Sequence, residues 1–134
     1  MTKLYKGKLY LLSNPLWVNL KKVGVSKEPN KRIKNMQTGN PDDIQILYES
    51  ETLIDKYFFE YLLSKILYKY RYRQDREFYD IEPSEFIQLT KTIELINRMN
   101  NSEEKLLDFI KNFDNEYYKR RFNKNKKTLY VCTL

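Results

Sequence analysis

Tyr10, Lys22 and Arg32 place a phenol, an ammonium and a guanidinium around a glycine, Gly24, within residues 7–36. If residues 8–12 and 22–25 pair as antiparallel strands, Tyr10 and Lys22 lie close on one sheet and Arg32 is carried by the helix that follows. Such a set suits a phosphate group. Further along, Glu60 is the only charge in Tyr57-Phe58-Phe59-Glu60-Tyr61-Leu62-Leu63, and helical spacing gives it one edge with Tyr57, Ser64 and Leu67. A carboxylate there is costly unless it is exposed, paired or bound to a cation. The bland alternative is a solvent-facing Glu60, or one paired with Lys56 or Lys65. Lys69-Tyr70-Arg71-Tyr72-Arg73 interleaves bases with rings. Arg71 and Arg73 suit phosphate contact, while the rings either stack on unpaired bases or turn inward from a strand or helix end.

The elements that must hold these groups are legible from pattern. Residues 8–12 are a short apolar run stopped by Ser13-Asn14-Pro15, a turn signal. Gly24 interrupts the second run and implies a bulge or close approach by another backbone. Pro29 opens a helix carrying Ile33 and Met36. Turn residues at 37–42 precede a third strand within 43–50, where Ile44, Ile46 and Tyr48 alternate. Residues 53–71 read as the long helix, with Ile54, Tyr57, Phe58, Tyr61, Leu62 and Ile66 as its buried stripe. Pro83 starts a helical pair. Phe86, Leu89, Ile93 and Ile96 give its first stripe, and Leu106, Ile110, Phe113 and Tyr117 its second, with Ser102 as N-cap. The expected class is α+β: a small three-stranded antiparallel sheet flanked by helices, with a C-terminal helical pair covering the sheet's other side or forming a dimer contact. The expected organisation is a core over 1–82, the pair over 83–121, and a basic tail over 122–134 with an edge strand at its end.

Composition bounds the function classes. The 134 residues suffice for one domain. There is no histidine and one cysteine, Cys132, which excludes an intrachain disulfide and a zinc-ligand set. No signal peptide or membrane-length apolar run is visible, so an intracellular chain is expected. Formal net charge is +7, unevenly spread. Residues 1–36 hold nine Lys or Arg against one acid, Glu28, whereas residues 77–116 hold ten acids against four bases. A basic front and acidic rear suit a protein that meets a polyanion on one side. Lys8, Lys21, Lys27, Lys31, Lys34, Arg71, Arg73 and Arg76 are its expected contacts; the alternative is lysines that simply solvate a surface.

The same blocks resemble the GIY-YIG nuclease superfamily, and within it a phage and large-DNA-virus branch of DNA-binding domains. Lys8-Leu9-Tyr10 stands where the family has GIY, Lys22-Val23-Gly24 where it has YIG, and Arg32 follows at the family's offset. Arg76-Glu77-Phe78-Tyr79 matches a later box of that branch. The resemblance implies a metal-binding glutamate in the long helix, for which Glu60 is the candidate, with Mg²⁺ or Mn²⁺ as cofactor. It implies that Tyr10 orients or activates water with Lys22 lowering its pKa, and that Arg32 holds the scissile phosphate. Gly24, Ser64 and Glu77 would support the site, Glu77 as an arginine's partner or a second acidic ligand. Lys8 and Lys22 replace a glycine and a tyrosine of the motifs, and Ser64 stands where the branch often has histidine. Three readings follow: a metal-dependent DNA endonuclease, a DNA-binding module without efficient chemistry, or a protein-interaction domain using the acidic helical pair.

Overall fold

Leu9, Tyr10, Leu11 and Leu12 are all buried, which makes their strand the centre of the sheet with both faces covered. The structure is a computed structural model that describes residues 4–17, 20–28, 44–71 and 78–123. The helix expected from Pro29, the turn at 37–42, and the tail strand lie outside the described residues. Strands β1 (Lys8–Ser13), β2 (Lys21–Ser26), β3 (Gln45–Glu49) and β4 (Phe78–Tyr79) form one antiparallel sheet in the order β3-β1-β2-β4. The α+β class stands, with four strands rather than three. A two-residue strand is too short to leave a period in the sequence, so nothing in the pattern marks β4 as a strand.

Register decides which residues share a face. Leu9 pairs with Val25, Tyr10 with Gly24 and Leu11 with Val23. Leu9, Leu11, Val23 and Val25 therefore point to the main core, while Tyr10 and Leu12 point to the opposite side with Trp17 and Ile46. The Gly24 constraint is a side chain rather than another backbone: a Cβ there would sit 2.4 Å from the Tyr10 hydroxyl oxygen. β4 pairs only with Lys21 and Lys22, so it stops short of Gly24 and Val25 on that side of β2.

Helix α1 (Lys56–Ile66) begins three residues later than its pattern suggests because Asp55 caps it, accepting from the Phe58 N–H at 3.0 Å. A 3-10 turn over Tyr68–Tyr70 replaces its expected last turn. The buried stripe is Phe58, Phe59, Leu62 and Leu63. Tyr57, assigned to that stripe by spacing, is exposed instead. Helix α2 (Pro83–Met99) packs on α1, β1 and β3, on the same side as α1 and not across the sheet. The second member of the helical pair breaks at Asp114 into α3 (Glu103–Phe113) and α4 (Asn115–Phe122), because the Asp114 carboxylate accepts from the Tyr117 N–H at 3.1 Å.

Two polar anchors hold α1 in place. Asp55 is fully buried, accepts from the Tyr5 N–H at 2.9 Å, and forms a two-pronged ion pair with Arg121 of α4. Burial works against the Arg121 charge, yet the Asp55 hydrogen bonds and charge outweigh it and raise its pKa. Arg121 is thus a structural arginine at the start of what reads as a basic tail. The second anchor is on α2. Buried Glu94 accepts from the Tyr48 hydroxyl at 3.1 Å and the Glu51 N–H at 2.8 Å, and Asn97 accepts from the Ile54 N–H at 2.8 Å. These bonds fix the chain that leads into α1.

Removing Asp55 or Arg121 alone leaves a buried charge unmatched, so Asp55→Ala and Arg121→Ala should each cost about 3–5 kcal/mol. The double variant should lose less than their sum in urea unfolding, and strict additivity would argue against the coupling. Gly24→Ala should cost about 1–3 kcal/mol by overpacking Tyr10. A Tyr10→Leu background should recover part of that loss, read as the shift in thermal midpoint.

Candidate functional site

The uncovered stretch of β2 and one side of α1 face each other across a cleft of about 770 Å³. Val23, Gly24, Val25 and Ser26 form the strand wall. Lys56, Tyr57, Glu60, Tyr61 and Ser64 come from α1, and Arg71 and Tyr79 close one end. The helix wall exists because the paired apolar positions Phe58, Phe59, Leu62 and Leu63 take the core. That leaves Tyr57, Glu60, Tyr61 and Ser64 on the flank, where a phenol or carboxylate can reach water or a partner.

Several wall residues are held by contacts of their own. The Tyr61 hydroxyl donates to Asp114, and its ring stacks on Tyr117 at 4.4 Å. That hydrogen bond, helped by the Tyr117 N–H, lowers the Asp114 pKa. The Ser64 hydroxyl donates to the Tyr61 carbonyl at 2.7 Å. Lys56 lies 5.2 Å from the Tyr57 ring centre, Lys65 lies 4.9 Å from that of Tyr61, and Arg71 lies 5.1 Å from that of Tyr68. Arg71 bridges to Tyr79 in extended backbone pairing, and its Nε is buried without a hydrogen-bond partner among the described residues. Burial pushes the Tyr79 phenol up; Arg71 opposes this through charge and hydrogen bonding, and the Glu60 carboxylate adds an upward push. Glu60, Arg71 and Tyr79 thus feel one another at this end of the cleft.

The residues singled out by sequence separate into groups. Glu60, Ser64, Gly24 and Arg71 line the cleft together. Tyr10 lies on the other face of the sheet, 1% exposed, with its hydroxyl against Gly24. Lys22 is on that same face, its ammonium 6.0 Å from the Phe78 ring centre. Lys8 forms an ion pair with Glu49 at 3.3 Å, which offsets its charge. Lys21 is half-buried in β2 and Lys27 is exposed just beyond it. Arg32, Lys31, Lys34, Arg73, Arg76 and Glu77 lie outside the described residues. Sequence reasoning missed Tyr57, Tyr61 and Tyr79 as cleft residues, although the spacing that put Tyr57 on one helix edge with Glu60 held the signal.

Among the described residues no group of three or more Asp, Glu or Cys side chains is placed to hold a metal ion. A lone carboxylate still fits Mg²⁺, which keeps most of its waters and commonly takes one or two carboxylates plus substrate phosphate oxygens. No helix among the described residues is long and apolar enough to cross a membrane.

A family model, the T5orf172 domain, matches residues 7–100, and the chain belongs to that family. It is a phage-derived domain of a nuclease-related group, and it suggests a nuclease-like or DNA-binding role. The matched stretch runs from the start of β1 through α2 and includes every residue named on the cleft walls, whereas α3 and α4 lie beyond it. No curated protein and no solved structure matches the chain.

The raised Tyr79 pKa has a defined sign. A phenol that keeps its proton longer when folded contributes stability below its unfolded pKa near 10, and that stability is lost as pH rises through the folded value. Thermal midpoints should therefore fall above pH ~10, less so in Tyr79→Phe. An identical alkaline profile for the two proteins would refute the assignment.

Proposed function

We propose that this T5orf172-domain protein binds DNA through the cleft and its basic surroundings, and that it acts there as a GIY-YIG-type endonuclease dependent on Mg²⁺ or Mn²⁺. The observation that carries this reading is the meeting of Glu60, Arg71 and Tyr79 against the Gly24 stretch of β2, in one cleft of a nuclease-related domain. The reaction is addition of water to a backbone phosphorus with rupture of one P–O bond, the leaving oxygen taking up a proton. Glu60 would hold the metal, which when bound supplies Lewis-acid stabilisation of charge on the phosphate. Arg71, which lines the cleft, would offer its guanidinium to a phosphate oxygen. Arg32 is proposed to hold the scissile phosphate. Tyr10 is proposed to orient water, because its hydroxyl rests on Gly24, itself a cleft residue. Lys22 shares that face and would favour the ionised phenol.

A second reading, binding without efficient turnover, is favoured by the burial of Tyr10, which restricts the approach of water to its phenol. The protein-interaction reading is weaker. Two acids on or near the helical pair, Glu94 and Glu51, are engaged within the fold, by Tyr48 and Arg98 respectively.

Nicking of supercoiled plasmid separates these readings. Wild type with Mg²⁺ should nick, and both Glu60→Ala and Arg32→Ala should fall by ~100-fold or more while still binding DNA. Binding that weakens about ten-fold or more between roughly 50 and 200 mM salt, without nicking, selects the binding module. No binding at low salt rejects both.

A further inference from the structure

Tyr57 and Tyr68 are 45% and 67% exposed, although each is large enough to contribute to a core. Both stand beside the cleft, Tyr57 on its wall and Tyr68 beneath the guanidinium of the wall residue Arg71. Tyr5, 43% exposed, meets Tyr57 edge to face at 5.4 Å. Along this flank, residues 56–71 hold four bases, Lys56, Lys65, Lys69 and Arg71, against a single acid, Glu60. Two of these cations line the cleft, Lys56 at 5.2 Å from the Tyr57 ring centre and Arg71 at 5.1 Å from that of Tyr68.

From this juxtaposition we infer that the form of DNA engaged by the cleft is an unpaired strand, its bases stacking on Tyr57 and Tyr68 and its phosphates meeting Lys56 and Arg71. The inference rests on the DNA-binding reading above and narrows its substrate class. Tyrosine faces are of little use to an intact duplex, whose base faces are already stacked and whose outer surface is phosphate and sugar. An unpaired strand offers both parts at once, a π-face for each ring and a phosphate for each cation. Tyr57 stands in the first turn of α1 and Tyr68 in the 3-10 turn that follows its end, so the two rings flank the strand's path from opposite ends of the helix. Glu60 at the centre of the cleft repels a phosphate held directly against it, so the backbone runs by Lys56 and Arg71.

Fluorescence anisotropy on the full chain tests this, with a labelled 20-nucleotide DNA strand and its duplex at equal salt, EDTA present to prevent cleavage. The single strand should bind at least ~10-fold tighter than the duplex. The Tyr57→Leu/Tyr68→Leu variant should lose ~10-fold or more on the strand and stay within about two-fold on the duplex, and Tyr57→Phe/Tyr68→Phe should retain strand binding. Unchanged melting temperatures verify that these exposed positions leave the fold intact. Equal or tighter binding of duplex, or strand binding indifferent to loss of both rings, would overturn the inference and leave DNA binding standing. Failure of both probes to bind would overturn the DNA-binding reading with it.

Discussion

The buried carboxylate of Asp55 is the point on which this architecture turns. It caps α1 through the Phe58 N–H, accepts from the Tyr5 N–H ahead of β1, and pairs with Arg121 of α4. Two segments distant in sequence are thereby tied to the first turn of α1. A fully desolvated carboxylate is tolerable because its oxygens are matched by a guanidinium and two backbone donors. The position and rotation of α1 follow, and with them the side that carries Tyr57, Glu60, Tyr61 and Ser64.

The cleft is a consequence of two shortfalls. β4 covers only the first residues of β2, and α1 spends its apolar pairs on the core, so a strand edge and a polar helix flank are left facing each other. The α2 anchors made by Glu94 and Asn97 hold the entry to α1 from the β3 side, and the Tyr61–Asp114 bond holds its flank from the α4 side. Helices α3 and α4 lie beyond the family match, yet they fix a cleft that lies within it. Through these contacts they support the site.

Chemically the cleft joins two kinds of group. In the proposed function the cations and exposed phenols would take a strand of alternating phosphates and bases, and the one carboxylate would take a divalent ion shared with a phosphate. Both uses require the same placement of α1 against β2. Tyr10 and Gly24 belong to that requirement from the opposite face, since the ring fills the space a side chain on Gly24 would need. The glycine of the second motif is explained by packing alone, whatever chemistry the phenol performs.

Much was legible in the residues themselves. The apolar run of β1, the Pro83 start of α2, the Ser102 N-cap of α3, the apolar stripes of both as far as Ile110, and the isolation of Glu60 among rings are all local patterns, set by side-chain period and backbone capping. The expected alternation of Ile44, Ile46 and Tyr48 on one face failed, because the register shifts along β1 and Tyr48 packs with the main core while Ile44 and Ile46 pack with Tyr10 and Leu12. Which of two adjacent apolar columns on α1 turns inward was not legible, because Tyr57 and Tyr61 compete with Phe59 and Leu63 at the same spacing. That contest is settled by the desolvation of a phenol against that of a hydrocarbon ring, and by what α4 brings to meet it. Likewise nothing local distinguishes Arg121 from the lysines and arginines around it; its role exists only because α4 returns to Asp55. The sequence by itself determined the elements, the charge asymmetry and the candidate groups. Only the tertiary structure decided that Glu60, Arg71 and Tyr79 share a cleft and that Tyr10 lies across the sheet from it, because strand register and helix rotation are fixed by contacts between segments far apart in the chain.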